Sequence, residues 1–480
     1  MDDLAERLAN LSPEKRDLIL RQLAQKEDNE RSNQNEQGLV TGPVPLLPVQ
    51  KQLLTMLATY HLNYHHYNTG TMVEVAQPLN PELAKQTVRH LLLHHDALRL
   101  RLTRDESEWQ QYIVPPDDDI PFSTQDFSLL PEEEQPTAIE AAAAALQTSL
   151  NITTGPILRI AYFNLGSHQP GRLLFIVHHI ASDAYSLQLL VKDFTTIYQQ
   201  IAEGKAIQLP PKTTSVKRRA ERMLEYGRST ELRNELDYWF ALPWTDIVPF
   251  PLDFPERVTA PLQPQSIKVT LQREETQNLI RSVGRFDGAQ IRDIILTALL
   301  SVFASWNGSL TQLLAMHNHG RKQFFDGVDL FRTVGWLTVH PNVVLQLPTT
   351  DIPEEMVRAI TEQMERIPGD GLGYELLRNA SGDAELTAKF HALPSPNIVF
   401  NYLGQQHSSD LSRSVKESIG PQASLSNLWK NDIQMIFAKI VDFQVHLYWE
   451  YSGTVYQRST IERLANQFIE TLQSMARSSR

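Results

Sequence analysis

One stretch of the chain reads Leu173-Leu174-Phe175-Ile176-Val177-His178-His179-Ile180-Ala181-Ser182-Asp183. Its apolar run, bounded upstream by Gly171, predicts a buried strand. Apolar residues then recur at helical spacing from Leu187 to Phe194, so the two histidines lie where a strand gives way to a loop and a helix. A strand end holds an imidazole rigidly, and histidine exchanges protons near neutral pH. The pattern therefore indicates an acid/base site, with packed or metal-binding histidines as the alternative.

Composition narrows the class of protein. A chain of 480 residues is long for one core and predicts two domains. Because cysteine is absent, disulfides, thiolate metal sites and cysteine nucleophiles are excluded. A formal charge of −12 argues against a nucleic-acid partner, although a local basic patch for a phosphorylated partner stays compatible. No apolar run could span a membrane and Met1-Asp2-Asp3 does not begin a signal peptide, so we expect no membrane partner and a cytoplasmic location.

Three regions follow from local patterns. Residues 1–37 predict a helical docking or linker segment: apolar stripes such as Leu4, Leu8 and Leu11 precede a polar stretch. A simple N-terminal extension is the alternative. Residues 38–211 form the predicted first lobe, which carries the double histidine. The proline-rich Leu209-Pro210-Pro211 marks the predicted boundary, and residues 212–480 form the second lobe.

Both halves predict helices around a sheet, an α/β (α+β) architecture. The predicted strands are 72–75, 98–103, 157–163, 173–177, 266–271 and 310–316. The predicted helices are 51–60, 81–93, 139–150, 184–201, 216–241, 273–286, 289–306 and 460–476.

Asp183 follows His179 by four residues and could act as a base, orient the histidine or form a buried ion pair. We favour the ion pair, with Arg99 or Arg101 as partner, because both arginines lie on an apolar strand. Ser186 lacks the glycine-flanked turn of a hydrolase nucleophile.

Metal-ligand residue types also occur at His94-His95-Asp96 and His317-x-His319. Neither the two-histidine spacing of zinc proteases nor a three-histidine set is present, so we predict no metal site.

Several segments, in order, resemble the condensation-domain superfamily of nonribosomal peptide synthetases over roughly residues 40–475, and its epimerization branch in particular. Besides the His178-His179-x-x-x-Asp183 motif, the segments are Leu47-Pro48-Val49-Gln50, His94-His95-Asp96-Ala97-Leu98-Arg99, Asp293-x-x-Leu296-x-Ala298, Asn318-His319-Gly320-Arg321, Arg332-Thr333-Val334-Gly335-Trp336-Leu337-Thr338, Gly371-Leu372-Gly373-Tyr374 and Phe400-Asn401-Tyr402-Leu403-Gly404-Gln405.

The resemblance implies two chloramphenicol-acetyltransferase-like lobes arranged as a V with a central tunnel. It implies that a peptidyl carrier protein delivers the substrate on 4'-phosphopantetheine, with no bound cofactor. It makes His179 the acid/base residue and counts His178 among the catalytic residues. It makes Asp183 a structural partner of Arg99, supported by Ser186. It assigns the tunnel and its substrate to five residues: His319, Arg321, Trp336, Asn401 and Tyr402. We expect a monomer that meets its carrier and other synthetase subunits.

The sequence departs from the epimerization pattern at several positions. His317 stands where that branch has a glutamate, Lys322 where a second acidic residue is usual, and Ala184 and Leu187 follow the aspartate in place of glycine and tryptophan. One hypothesis is that His317 takes over the glutamate's role, so that two histidines invert a thioester α-carbon. A second is that the scaffold forms an amide or ester, or performs an elimination or cyclisation. A third is a non-catalytic platform for carrier proteins.

Overall fold

The structure is a computed structural model that describes residues 37–59, 61–105, 108–257, 264–286, 288–406, 415, 417–423 and 433–477. The helices predicted within residues 1–37 lie outside these ranges. No helix in the described part of the chain has both the length and the apolar character that crossing a membrane requires.

Within the described residues, the first half of the chain builds two sheets and four long helices. The strands are β1 (Gly42–Val44), β2 (Asn68–Val75), β3 (Leu100–Asp105), β4 (Glu108–Ile113), β5 (Phe122–Asp126), β6 (Leu158–Asn164) and β7 (Gly171–His178). The helices are α1 (Pro48–Thr59), α2 (Pro81–His94), α3 (Gln135–Thr148) and α4 (Ala184–Ala202). One sheet has the order β1-β4-β3 and the other the order β2-β7-β6-β5.

Strand β7 is buried along its whole length between β2 and β6. On one face Leu174 and Ile176 pack in a cluster with Ile139 of α3. On the other, Phe175 belongs to the main core together with Leu190 of α4. Because successive side chains of a strand point to opposite faces, two covered faces require an uninterrupted apolar run, which is the run that the sequence contains.

The described residues of the second half build one sheet with the order β10-β9-β11-β12-β13-β8, in which β11 runs parallel to both neighbours. Its strands are β8 (Pro264–Leu271), β9 (Thr311–His317), β10 (Asn342–Gln346), β11 (Val399–Gln406), β12 (Ile433–Val441) and β13 (Gln444–Ser452). Its helices are α5 (Val216–Gly227), α6 (Thr230–Arg233), α7 (Leu236–Ala241), α8 (Arg273–Ser282), α9 (Ile291–Asn307), α10 (Pro353–Glu365), α11 (Leu372–Asn379), α12 (Ala384–His391) and α13 (Arg458–Arg477).

The predicted mixed α/β architecture is confirmed, and two local predictions are wrong. The continuous helix expected over 216–241 is three helices, because the chain breaks after Gly227 and Ser229 caps a new helix by accepting a hydrogen bond from the N–H of Leu232 at 3.2 Å. The strand expected from residue 98 begins at Leu100, since Asp96–Arg99 forms a 3-10 turn.

A segment of the second half, residues 417–423, returns to the four-stranded sheet of the first. The backbone N–H of Asn68 on β2 donates to Gln422 O at 2.7 Å, and Arg172 on β7 pairs with Glu417 at 2.7 Å. Ile419 packs on the same apolar cluster as α3. The boundary predicted near Pro211 stays a prediction, and the chain beyond it contacts both halves.

Candidate active site

The double histidine begins where β7 ends. His178 is the last residue of the strand, and His179 starts a 3-10 turn that runs to Ala181. Asp183 then caps α4 by accepting a hydrogen bond from the backbone N–H of Ser186 at 2.8 Å. The strand, loop and helix predicted around this motif are confirmed.

His178 is held on both sides by backbone groups. Its Nδ1 accepts from the N–H of Ile180 at 3.2 Å, so its Nε2 carries the hydrogen and donates to Tyr64 O at 3.0 Å. Burial lowers the pKa of His178 to about 3, which keeps the ring neutral. The motif predicts His178 among the catalytic groups; its geometry instead gives it a supporting role that fixes the loop carrying His179.

His179 is oriented by aromatic rings. Its backbone N–H donates to Tyr67 O at 2.8 Å, and its imidazole lies 4.2 Å from the Trp336 ring and 5.6 Å from the Tyr67 ring, centroid to centroid. The buried Nδ1 has no hydrogen-bond partner among the residues that the structure describes. Burial lowers the pKa of His179, and the charge of Asp183 opposes this only in part. The ring is therefore neutral at pH 7 and able to accept a proton.

Asp183 forms its ion pair with Arg321 and not with Arg99, so the predicted partner is wrong. Asp183 Oδ2 lies 2.9 Å from Arg321 Nη1 and Oδ1 lies 3.0 Å from Nη2. Arg99 instead pairs with Asp96, three residues before it in the same turn. Burial alone would raise the pKa of Asp183, but the Arg321 guanidinium and the hydrogen bonds from Ser186 outweigh it and hold the pKa below its usual value.

The same aspartate fastens a loop of the second half to α4. Asp183 Oδ2 accepts from the N–H of Leu337 at 3.1 Å, and Ser186 Oγ accepts from the N–H of Gly335 at 3.1 Å. Trp336 lies between these two attachments, so the loop presses its ring against His179. Ser186 is enclosed by hydrogen-bond partners, which suits a supporting residue and not a nucleophile.

His317, the last residue of β9, stacks on a histidine that none of the sequence motifs includes. The register that pairs Ala315 with Asn342 and Asn318 with Val339 sets His317 opposite His340. The two imidazoles lie 3.8 Å apart at 13°. Only the strand register reveals this pairing, since the motif that carries Trp336 ends before His340.

Four rings form a continuous group, here named the ring cluster: His179, Trp336, His340 and His317. Trp336 contacts His179 on one side and lies 6.2 Å from His340 on the other. Burial, with a smaller contribution from His179, lowers the pKa of His317 to about 3. Burial also lowers the pKa of His340 well below its usual value, with His317 and His179 adding to the effect. The cluster thus joins the two histidines that the sequence predicts as a pair.

The other predicted tunnel residues divide into two groups. Asn401 lies beside His317 in the parallel register of β9 and β11, on the same face of the sheet, whereas Tyr402 points to the other face and packs against the core. His319 is exposed, and its Nδ1 accepts from the N–H of Arg321 at 3.0 Å. Arg321 is buried and engaged with Asp183, so it serves the framework and does not line a tunnel.

In the part of the chain that the structure describes, one cluster of ligand-type side chains is found, and it lies in the first half. His94, His95 and Asp193 bring one ligand atom each to within 4.8 Å of one another. The carboxylate of this cluster comes from Asp193, whereas the sequence pattern His94-His95-Asp96 suggested Asp96. Arg332 Nη2, however, lies 2.6 and 2.7 Å from the two Asp193 oxygens, and His95 Nε2 lies 3.0 Å from one of them. A guanidinium therefore already neutralises the carboxylate that a metal ion would need.

The chain is similar in sequence to known proteins. The profile of the condensation domain matches residues 40–479. A linear gramicidin synthase chain of Brevibacillus parabrevis is 36% identical over 446 residues, which are 92% of this chain and 8% of that one. Chondramide synthase cmdD of Chondromyces crocatus is 34% identical over 458 residues, 94% of this chain and 11% of that one. The chain thus spans a small part of the length of these relatives.

Solved structures extend the likeness to three dimensions. The epimerization domain from the third module of tyrocidine synthetase B has a TM-score of 0.84 at 27% identity, covering 92% of this chain and 98% of that one. The first condensation domain of the calcium-dependent antibiotic synthetase, in complex with a substrate analogue, has a TM-score of 0.66 at 18% identity, covering 91% and 97%. These matches confirm the predicted chloramphenicol-acetyltransferase-like fold.

Proposed function

Because the chain belongs to the condensation-domain family of nonribosomal peptide synthetases, we propose that it inverts the α-carbon of an aminoacyl or peptidyl thioester held by a carrier protein. The substrate would arrive on the 4'-phosphopantetheine arm of that carrier. The likeness to an epimerization domain over nearly its whole length favours inversion over other reactions of the family.

The observation that carries the proposal is the ring cluster, which has one histidine at each end. Inversion requires that a proton leave one face of the α-carbon and that another arrive on the opposite face. His179 directly follows a strand of the first half and His317 ends a strand of the second. In the described part of the chain, neither His179 Nδ1 nor the His317 ring has a hydrogen-bond partner, in contrast to His178. Two such imidazoles, one from each half, suit a two-base reaction.

The proposed step moves two protons. Neutral His179 takes the α-proton, the C–H bond breaks, and its electron pair enters the thioester as an enolate. Because the pKa of His317 is lowered to about 3, the reactive form is the small fraction of molecules in which this ring is protonated. In that form His317 gives its proton to the opposite face, which forms the new C–H bond. Afterwards His179 is protonated and His317 is neutral, and exchange with water restores the starting state.

The test is washout of deuterium from an α-deuterated L-aminoacyl thioester loaded on a carrier protein, with the chirality of the product followed in parallel. We expect His179→Ala and His317→Ala each to slow washout by about 10²-fold or more, the usual contribution of a general acid or base. The matched control is His168→Ala, a change at an exposed histidine outside the site. If both site variants exchange deuterium at the rate of the control, the proposal is wrong.

Amide or ester formation is the second candidate, favoured by the replacement of the usual glutamate by His317. Bond formation would need His179 to position or deprotonate an incoming nucleophile, while the α-carbon keeps its hydrogen. The same labelled substrate separates the reactions: a new bond with α-deuterium retained supports this candidate. Carrier binding without any turnover would instead support a docking platform.

A further inference from the structure

A surface cavity lies where helices of the two halves meet, and none of the four rings of the ring cluster lines it. Its volume is about 530 Å³, and it is bounded by α1 of the first half and by α5, α11 and α12 of the second. Helix α11 packs against the other three, so one packed group of helices surrounds the cavity.

Four side chains that can donate hydrogen bonds line this cavity, and each comes from a different helix or its end. They are Lys51 on α1, Arg228 directly after α5, Asn379 at the end of α11 and Thr387 on α12. Within the described part of the chain, the side chains of Lys51, Arg228 and Asn379 form no hydrogen bond or ion pair with another residue. Thr387 Oγ1 lies 3.4 Å from Ser381 Oγ, which is longer than a usual hydroxyl hydrogen bond. The cavity therefore offers donors that the protein itself does not use.

The two cations of the cavity have no free carboxylate beside them. Burial, followed by the positive charge of Arg228, lowers the pKa of Lys51, but the ammonium stays protonated near pH 7 because its ordinary pKa lies far above that. Of the lining residues, Asp383 carries a carboxylate, and both of its oxygens are taken. Its Oδ2 accepts from Arg233 Nη2 at 3.3 Å and its Oδ1 from the N–H of Leu386 at 3.1 Å. Two like charges that share a cavity repel each other, and a bound anion would relieve that repulsion.

We propose that this cavity binds a phosphate group, free or carried by a small molecule, and that the bound phosphate joins α1 to the second half. A guanidinium such as that of Arg228 binds two phosphate oxygens in parallel, and the ammonium of Lys51 adds a point charge. The remaining oxygen of the group can then meet Asn379 or Thr387, which a carboxylate with two oxygens cannot do as well. The volume falls within the range of about 300–1,000 Å³ that is usual for small-molecule pockets, so the organic part of a phosphate ester also fits.

Lys51 is next in the chain to a residue that supports the loop of His179. The side-chain oxygen of Gln50 accepts from the N–H of Leu47 at 2.9 Å, and its amide donates to Ile180 O at 2.8 Å. Ile180 directly follows His179. An anion that fixes α1 against the second half therefore also steadies the helix that holds this loop. The inference itself does not rest on the proposed function.

The experiment measures the unfolding of the full chain in urea, in sodium phosphate and in sodium chloride of equal ionic strength. We expect phosphate to raise the folding equilibrium constant of the wild type saturably, by about tenfold when its concentration is about ten times Kd. Lys51→Gln and Arg228→Gln should each lose most of this gain. The matched control is Arg222→Gln on α5, because the Arg222 charge pairs with Glu225 at 2.6 Å and does not line the cavity. This control should keep the gain.

Glycerol 2-phosphate, tested in the same way, separates the two sources of the phosphate group. Stronger stabilisation by this ester than by inorganic phosphate would assign the cavity to an organic phosphate, and weaker or equal stabilisation would assign it to the free ion.

An equal gain in all four proteins would overturn the inference, because phosphate also stabilises proteins without any site, by exclusion from their surface. So would a loss of the gain in Arg222→Gln, since the effect would then follow overall charge and not the cavity. Unfolding in chloride shows whether each variant is folded. Because no step of the experiment measures turnover, its failure is distinct from a failure of the proposed α-carbon inversion.

Discussion

Asp183 and Arg321 form a two-point ion pair, with oxygen–nitrogen distances of 2.9 and 3.0 Å, although 138 residues separate them. Both side chains are almost fully buried. The pair links the loop after β7 to the segment after β9, which are the two places from which His179 and His317 emerge. The geometry of the proposed active site therefore depends on an ion pair that has no role of its own in the proposed reaction.

Asp183→Asn should leave the Arg321 charge buried without its partner. Removing one member of a buried ion pair typically costs about 3–5 kcal/mol, and we expect a loss of that order in the free energy of unfolding measured in denaturant. Glu462→Gln, which removes an exposed pair with Arg458, is the control and should leave stability nearly unchanged. If the two variants are equally stable, the buried pair does not hold the halves together.

Gly320→Ala should disturb the same region through the backbone. Gly320 has φ of +63°, and an added β-carbon would lie 1.8 Å from Leu337 O, so the loop that contacts Asp183 would have to move. Gly308 has a similar φ of +73° but open space around it. We expect Gly308→Ala to cost about 1 kcal/mol in unfolding free energy and Gly320→Ala to cost clearly more, with slower washout. If the two variants lose the same unfolding free energy, the loop that contains Leu337 moves aside for the added β-carbon without cost.

Trp336→Ala should release His179. Deleting a buried tryptophan side chain lowers the free energy of unfolding by about 3–5 kcal/mol. Because His179 is then no longer held in place, we expect the variant to wash out α-deuterium at least tenfold more slowly. Trp336→Phe keeps a ring against His179 and should retain most of the rate. Washout rates and unfolding are measured on the same preparations. Equal rates in the two variants, with both folded, would show that ring contact does not position His179.

The buried, neutral His178 should make the stability of the protein depend on pH, with lower stability in mild acid. Its pKa is lowered from 6.5 to about 3, so between these pH values the unfolded chain binds a proton that the folded chain does not. The free energy of unfolding should therefore fall as pH decreases from 6.5, by about 1.4 kcal/mol per pH unit for this proton.

The measurement is the slope of unfolding free energy against pH between 6.5 and 5. His178→Gln should be less stable than wild type at pH 7 but show a shallower slope, since the titrating ring is gone. Ser167→Ala, an exposed change that removes no titratable group, should keep the wild-type slope. An unchanged slope in His178→Gln would assign the acid sensitivity to other groups.

Patterns within one segment predict the structure around β7 well. The apolar run, the histidines and the helix that follows form one local sequence, so the strand end and His179 can be placed without coordinates. The sequence predicts one charged helix over 216–241. Ser229 caps a new helix after Gly227, and a β-carbon at Gly227 would lie 3.0 Å from Ala380 O, a tertiary contact that no local pattern shows.

Contacts across the chain could not be predicted in the same way. Arg99 and Arg321 are both arginines beside apolar segments, and only the fold decides which one reaches Asp183. Likewise His340 becomes part of the site through the register of β9 with the chain before β10, which no composition or spacing reveals. The departure from the family pattern at His317 does predict a position that the structure brings into the ring cluster.

The return of residues 417–423 to β2 has a consequence for how the chain can be divided. Those residues occupy a strand edge that would otherwise present unpaired backbone groups to solvent. A fragment cut at the predicted boundary near Pro211 would lose that cover, together with the apolar contact of Ile419. We expect such a fragment to leave the edge of β2 open to pairing with other chains, and therefore to associate more readily than the full chain.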